Sequence, residues 1–250
     1  MNKQAGFSLV EIMIALLIGL FLMGGILQMF SASQQTYRMQ SNLARLQENG
    51  RFALDFLAHD LRMAGYWGCL SGTNTDVTGE DNNTGVILVD NGTDSIAIKA
   101  AFTVPPILSC GTPVTTDPTY TLASSATAYK IYTLVPSPSP TLYKSFNGIW
   151  RPLIDGIQNM QILYGIDSDG DYAANYYVAA PALAPLSPDW NKVVSIRISL
   201  LVVTLDDNLT PQPIPYNYFV NNVPTNNIMP ADRKIRRVFN TTIAIRNRLL

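Results

Sequence analysis

An uninterrupted apolar run opens the chain: residues 7–30 read FSLVEIMIALLIGLFLMGGILQMF, and Glu11 is their only ionisable side chain. At about 1.5 Å of rise per residue, a helix of this length crosses the roughly 30 Å hydrocarbon core of a bilayer. Beyond it the apolar positions thin to a stripe. Leu43, Leu46, Ala53, Leu57, Leu61 and Ala64 recur at helical spacings, with Arg38, Arg45, Glu48, Arg51, Asp55 and Asp60 elsewhere. No proline precedes Pro105. The pattern predicts one helix over residues 7–64, on the order of 87 Å if straight. Gly24, Gly25 and Gly50 are places where it could bend or locally melt. His59 reads as a helix-surface residue without chemistry.

After Gly65 and Gly68 the helical period stops, and a polar, turn-rich stretch follows. Short β-type runs then appear at 86–89, 95–102, 128–134 and 160–164. The clearest lies at 193–204, where Ile196, Ile198, Leu200 and Val202 alternate with Arg197, Ser199, Leu201 and Val203. A last, weaker alternation spans 236–245. Proline-rich links at 135–140, 184–188 and 210–215 read as loops. One long helix followed by many short strands predicts an α+β chain, the helix packed on a mainly antiparallel β-sheet head.

Net charge is −1, so no global field draws nucleic acid or an anionic surface. Arg233-Lys234 and Arg236-Arg237 form a short basic cluster, but strand alternation splits it between faces, and no direct nucleic-acid binding is expected. Only one histidine is present, no CxxC motif occurs, and neither G-x-S-x-G, Walker A, HExxH nor a dinucleotide fingerprint is found. An enzyme is therefore not expected. Asp206-Asp207 beside Asn208 reads as a turn.

The leader MNKQAG carries Lys3 and the start amine, which hold that end in the cytoplasm and send everything after Phe30 across the membrane. A secretory signal peptide has a shorter apolar core and a small-residue cut site. A plain signal anchor has no use for Glu11, because an acid within hydrocarbon costs on the order of 3 kcal/mol at mid-bilayer. Gly6-Phe7-Ser8-Leu9-Val10-Glu11 resembles the class III leader motif of type IV pilins and type II secretion pseudopilins. The resemblance implies cleavage by a prepilin peptidase between Gly6 and Phe7, and N-methylation of Phe7. It also implies an assembly role for Glu11: its carboxylate can pair with the free α-amine of a neighbouring subunit's Phe7 inside an apolar filament core.

Three further segments, 46–69, 154–178 and 236–248, resemble the PilW family of minor pilins, which is related to the J-type minor pseudopilins. The implied organisation is a leader at 1–6, a transmembrane or filament-core helix at 7–30, an amphipathic helix at 31–64 and a β-rich periplasmic or extracellular head at 65–250. The implied role is to prime or cap a type IV pilus, supporting motility or attachment. Implied partners are other minor pilins, the major pilin, the prepilin peptidase/methyltransferase and the inner-membrane assembly machinery. The protein is expected to be a single-pass inner-membrane protein before assembly and part of the pilus afterwards. A pseudopilin of type II secretion and a tip-displayed adhesin, with 71–150 as its contact surface, are the alternatives.

Two features of the head carry candidate chemistry. Cys69 and Cys110 would close a loop of about 42 residues, and outside the cytoplasm a bridge there contributes about 4 kcal/mol by chain entropy. Two separate buried thiols are the alternative. Asp167, Asp169 and Asp171, with Asn175 beyond, place oxygen ligands at alternate positions, which suits calcium. The EF-hand pattern fails at Tyr172 and Val178, and a solvated turn explains the same residues. No other cofactor is expected.

Overall fold

The computed structural model describes residues 8–66, 77–80, 93–100, 125–132, 139–146, 148–180, 188–220 and 223–248. Its contacts divide the chain into two units, residues 1–44 and 45–250. A single helix, α1, runs Leu9–Arg62. In the first unit residues 8–40 are exposed without exception, Leu9, Phe21 and Met29 among them at 74%, 83% and 78%. This helix is long and apolar enough to cross a membrane.

Within the second unit the expected stripe is the buried one: Leu46, Ala53, Leu57, Leu61 and Ala64 all belong to the core. Gly50 lies on the same face and is buried, in regular helix. It neither bends nor melts the helix. A Cβ at this position would meet the Phe239 ring at 2.6–2.8 Å, so the glycine lets that ring lie against the helix backbone. α1 ends at Arg62 and a turn follows to Gly65, whose φ of 72° continues the chain in a conformation other side chains resist, and whose N–H donates to Lys99 O at 3.0 Å. The late helix carbonyls are also met: Asn247 Nδ2 donates to Arg62 O at 3.3 Å and to Ala64 O at 3.1 Å.

Eleven strands follow α1 in the described residues. In chain order they are β1 (Val77–Glu80), β2 (Ser95–Ala100), β3 (Ser125–Tyr132), β4 (Thr141–Phe146), β5 (Ile149–Asp155) and β6 (Ile157–Ile166). Then come β7 (Tyr176–Val178), β8 (Val193–Val203), β9 (Tyr216–Val220), β10 (Val223–Ile228) and β11 (Arg236–Ala244). The first five form one sheet in sequential order, a second sheet has the order β11-β8-β6-β7, and β9–β10 is a separate hairpin. Every pairing between them is antiparallel. The chain is thus α+β, with a long N-terminal helix packed on antiparallel sheets.

Thr93 and Asp94, entering β2, stitch the two sheets together. Asp94 N–H donates to Met160 O at 2.8 Å, Asp94 Oδ2 accepts from Ile162 N–H at 2.6 Å, and Thr93 Oγ1 accepts from Met160 N–H at 3.3 Å. They occupy the stretch of the β6 edge that the short β7 leaves uncovered, since β7 pairs only with Tyr164, Gly165 and Ile166.

The strands expected at 95–102, 128–134, 160–164, 193–204 and 236–245 correspond to β2, β3, β6, β8 and β11 with shifted ends; the run at 86–89 lies outside the described residues. β1, β4, β5, β7, β9 and β10 carry no strong alternation. In β8, Arg197 is exposed as the alternation requires, yet Leu201 and Val203 are buried as well as Ile196, Ile198, Leu200 and Val202. Both faces of that strand end are covered, and Tyr218 of β9 reaches across to donate to Ser199 O at 2.8 Å. The basic cluster splits as expected. Arg236 turns inward to Asp232 and Gln158, while Arg237 stays exposed.

Asp60 departs from the expected surface charge pattern. It is buried on the core side of α1, accepts the hydroxyl of fully buried Tyr129 on β3, and lies 2.6 Å from Lys144 Nζ on β4. His59 Nδ1 lies 3.1 Å from its other oxygen, with a side chain 79% exposed. Burial pushes the Asp60 carboxyl up, but bonds from Lys144, Tyr129 and His59 outweigh it and hold the group below the usual carboxylate range. Tyr129 is pushed far above the ordinary phenol value by burial and by that carboxylate.

Candidate functional site

The start of α1 is built by Ser8 and Glu11. Ser8 Oγ accepts the Glu11 N–H at 3.2 Å, and Ser8 O accepts from Glu11 and Ile12 N–H at 3.1 and 3.3 Å. Ser8 is the N-cap and Glu11 the third helical position, which is the spacing of a capping box. That signal stands in the sequence as S-x-x-E, and a reading focused on the cost of the acid passes over it. A carboxylate in the first turn meets the positive end of the helix dipole, worth about 0.3–1 kcal/mol. No basic side chain occurs between Leu9 and Phe30 to pair with the Glu11 side chain.

Glu11 shares one open side of α1 with Ile12, Ala15, Leu16, Gly19, Leu20 and Met23. Chemically this is an apolar helix face with one anion near its tip. Such a face suits a second apolar helix that brings a cation, and nothing in it resembles a catalytic cleft. Gly6 and Phe7, the expected cleavage junction and methylated residue, lie outside the described residues, as do Cys69 and Cys110.

The acidic turn joins β6 to β7, and there the expected residues do come together. One carboxylate oxygen from each of Asp167, Asp169 and Asp171 lies within 4.8 Å of the others. Asp167 accepts N–H bonds from Gly170 at 2.6 Å and Tyr172 at 2.9 Å; together these outweigh its desolvation and lower its pKa. Asn175 Oδ1 accepts from Ser168 N at 2.7 Å and Ser168 Oγ at 2.9 Å, and its amide donates to Asp169 at 3.3 Å. Asp171 accepts from Ala173 N at 2.8 Å. The oxygen set has the chemistry of a hard-cation site. The same oxygens already serve as turn acceptors, so the loop holds its shape through its own bonds.

Comparison with known proteins places this geometry in a family. Residues 1–27 match the model of the prokaryotic N-terminal methylation motif, and residues 119–247 match that of type IV pilus-assembly protein W. No curated protein matches the sequence. Among solved structures, a type IV-like pilin from Thermus thermophilus aligns at 14% identity and a TM-score of 0.46, covering 82% of this chain and 99% of that one. The methylation motif falls on the capped, exposed helix start, and the second match takes in β3 to β11 with the acidic turn: the chain belongs to the type IV pilus-assembly protein W family.

Proposed function

We propose that this chain is a minor pilin that primes or caps a type IV pilus, entering the filament after cleavage between Gly6 and Phe7 and methylation of Phe7. The observation that carries the reading is the apolar, wholly exposed stretch of α1 with Glu11 in its first turn. Family membership supplies the context of other pilins and the assembly system. In the membrane the charge of Glu11 sits near the interface, where it is tolerable. In a filament it is matched by the α-amine of a neighbouring Phe7, and only the correct axial stagger brings the two together. The carboxylate thereby sets register as well as attraction.

On this reading the head stands outside the cytoplasm before assembly and joins the pilus afterwards, and Cys69 and Cys110 are free to form a bridge there. The test is Glu11→Ala. The variant is expected to reach the membrane at wild-type level while its recovery in sheared pili, and the number of surface pili, fall sharply. Normal incorporation overturns the proposal. Deletion of the chain that spares pili but blocks enzyme secretion assigns it to secretion instead.

A further inference from the structure

We propose that the outer edge of β11, with the side of α1 next to it, is a docking groove in which an extended, acidic segment of another subunit adds to the sheet as a further strand. The other sheet edges differ from this one. β1 has four residues and β7 three. β5 carries Pro152, which offers no N–H, and Asn49 Nδ2 on α1 donates to its Asp155 O at 2.9 Å. β11 runs nine residues without proline and pairs with β8 along its whole length with no bulge. Among the described residues no strand lies on its other side.

A groove lies along it. Five consecutive β11 residues, Arg237 to Thr241, line this groove, and because alternate side chains point to opposite faces, it meets the strand at its edge. The opposite wall is a stripe of α1 that includes Arg51, Leu54 and Arg62. Three arginines (Arg51, Arg62 and Arg237) face one acid, Asp55, which sits 3.9 Å from Arg51 with both side chains largely in water. An unpaired edge selects an extended backbone, and the cationic rim selects carboxylates flanking the apolar floor of Leu54 and Phe239. A second copy is disfavoured, since pairing two β11 edges gathers both arginine sets in one place.

That the segment belongs to another pilus subunit rests on the assembly reading; the groove itself does not. The test uses the full chain in detergent micelles and a labelled synthetic peptide alternating valine and glutamate, read by fluorescence anisotropy. Saturable binding is expected. It should weaken about tenfold or more when lysine replaces glutamate, when alternate backbone nitrogens are methylated, and in Arg51→Glu and Arg237→Glu. Arg51 and Arg237 are exposed, so unchanged melting curves check that these variants fold. Absence of binding, or equal binding by the methylated or lysine peptides, overturns the proposal. So does a concentration-dependent dimer that Arg237→Glu abolishes, which makes a second copy the occupant. Failure here leaves the Glu11 prediction standing, and normal incorporation of Glu11→Ala leaves peptide binding standing.

Discussion

Asp60 ties α1 to the first sheet through a tyrosine on β3 and a lysine on β4. Nothing in its neighbourhood along the chain announces this: an acid among LAHDLR reads as solvent-facing, and its partners are 69 and 84 positions away. Only a fold that brings β3 and β4 onto the helix turns a surface charge into a buried one. Breaking a buried pair costs more than breaking an exposed one, and Lys144 is 32% exposed, so Lys144→Met is expected to cost about 2 kcal/mol in urea unfolding. The acid side is separable by pH. The folded Asp60 carboxyl lies below its unfolded value, so its contribution is complete above about pH 4 and is lost as pH falls through the folded pKa. Asp232, held low chiefly by Arg236, and Asp207, held low by Asn208 and Arg233 N–H groups, act in the same direction. The stability gap between wild type and Asp60→Asn should therefore narrow on acidification below about pH 4. A gap that stays constant shows that the charge contributes nothing.

Elements were readable where one period ran long enough. The stripe on α1 and the alternation in β8 each repeat over several turns or residue pairs, and their bounds shift only at the ends. β4, β5 and the β9–β10 hairpin were not readable, because their partners supply burial that their own residues do not pattern. Gly50 shows the same limit. By propensity alone, Gly50→Ala should gain about 1 kcal/mol. The Phe239 ring occupies that space, and overpacking costs about 1–3 kcal/mol, so Gly50→Ala should lower the melting temperature. In a Phe239→Ala background the same substitution should raise it, and a drop in both backgrounds refutes the ring contact. Between the sheets, Asp94→Ala removes the acceptor of Ile162 N–H. Hydrogen exchange at that amide should accelerate, with a loss of about 1–3 kcal/mol; unaltered protection at Ile162 means that the stitch is dispensable.

On the scale of the whole molecule, residues 9–30 form an apolar stretch that is exposed throughout among the described residues. Covering a large apolar side chain is worth about 1.5–3 kcal/mol, so residues 9–30 together represent tens of kcal/mol, more than the roughly 5–15 kcal/mol that holds a domain folded. On the proposed function, membrane or neighbouring helices supply that cover, and this is the physical root of an assembly role. The head, by contrast, has its own core, from Leu46 and Leu57 on the helix to Ile198 and Leu200 on β8. Removing residues 1–30 should therefore yield a chain that is monomeric without detergent. Its unfolding free energy should match that of the full chain in micelles to within about 0.5 kcal/mol, the scale of surface changes. Circular dichroism melts and sedimentation in parallel test both halves of this expectation. A truncated chain that aggregates or melts far lower shows instead that the apolar stretch stabilises the head.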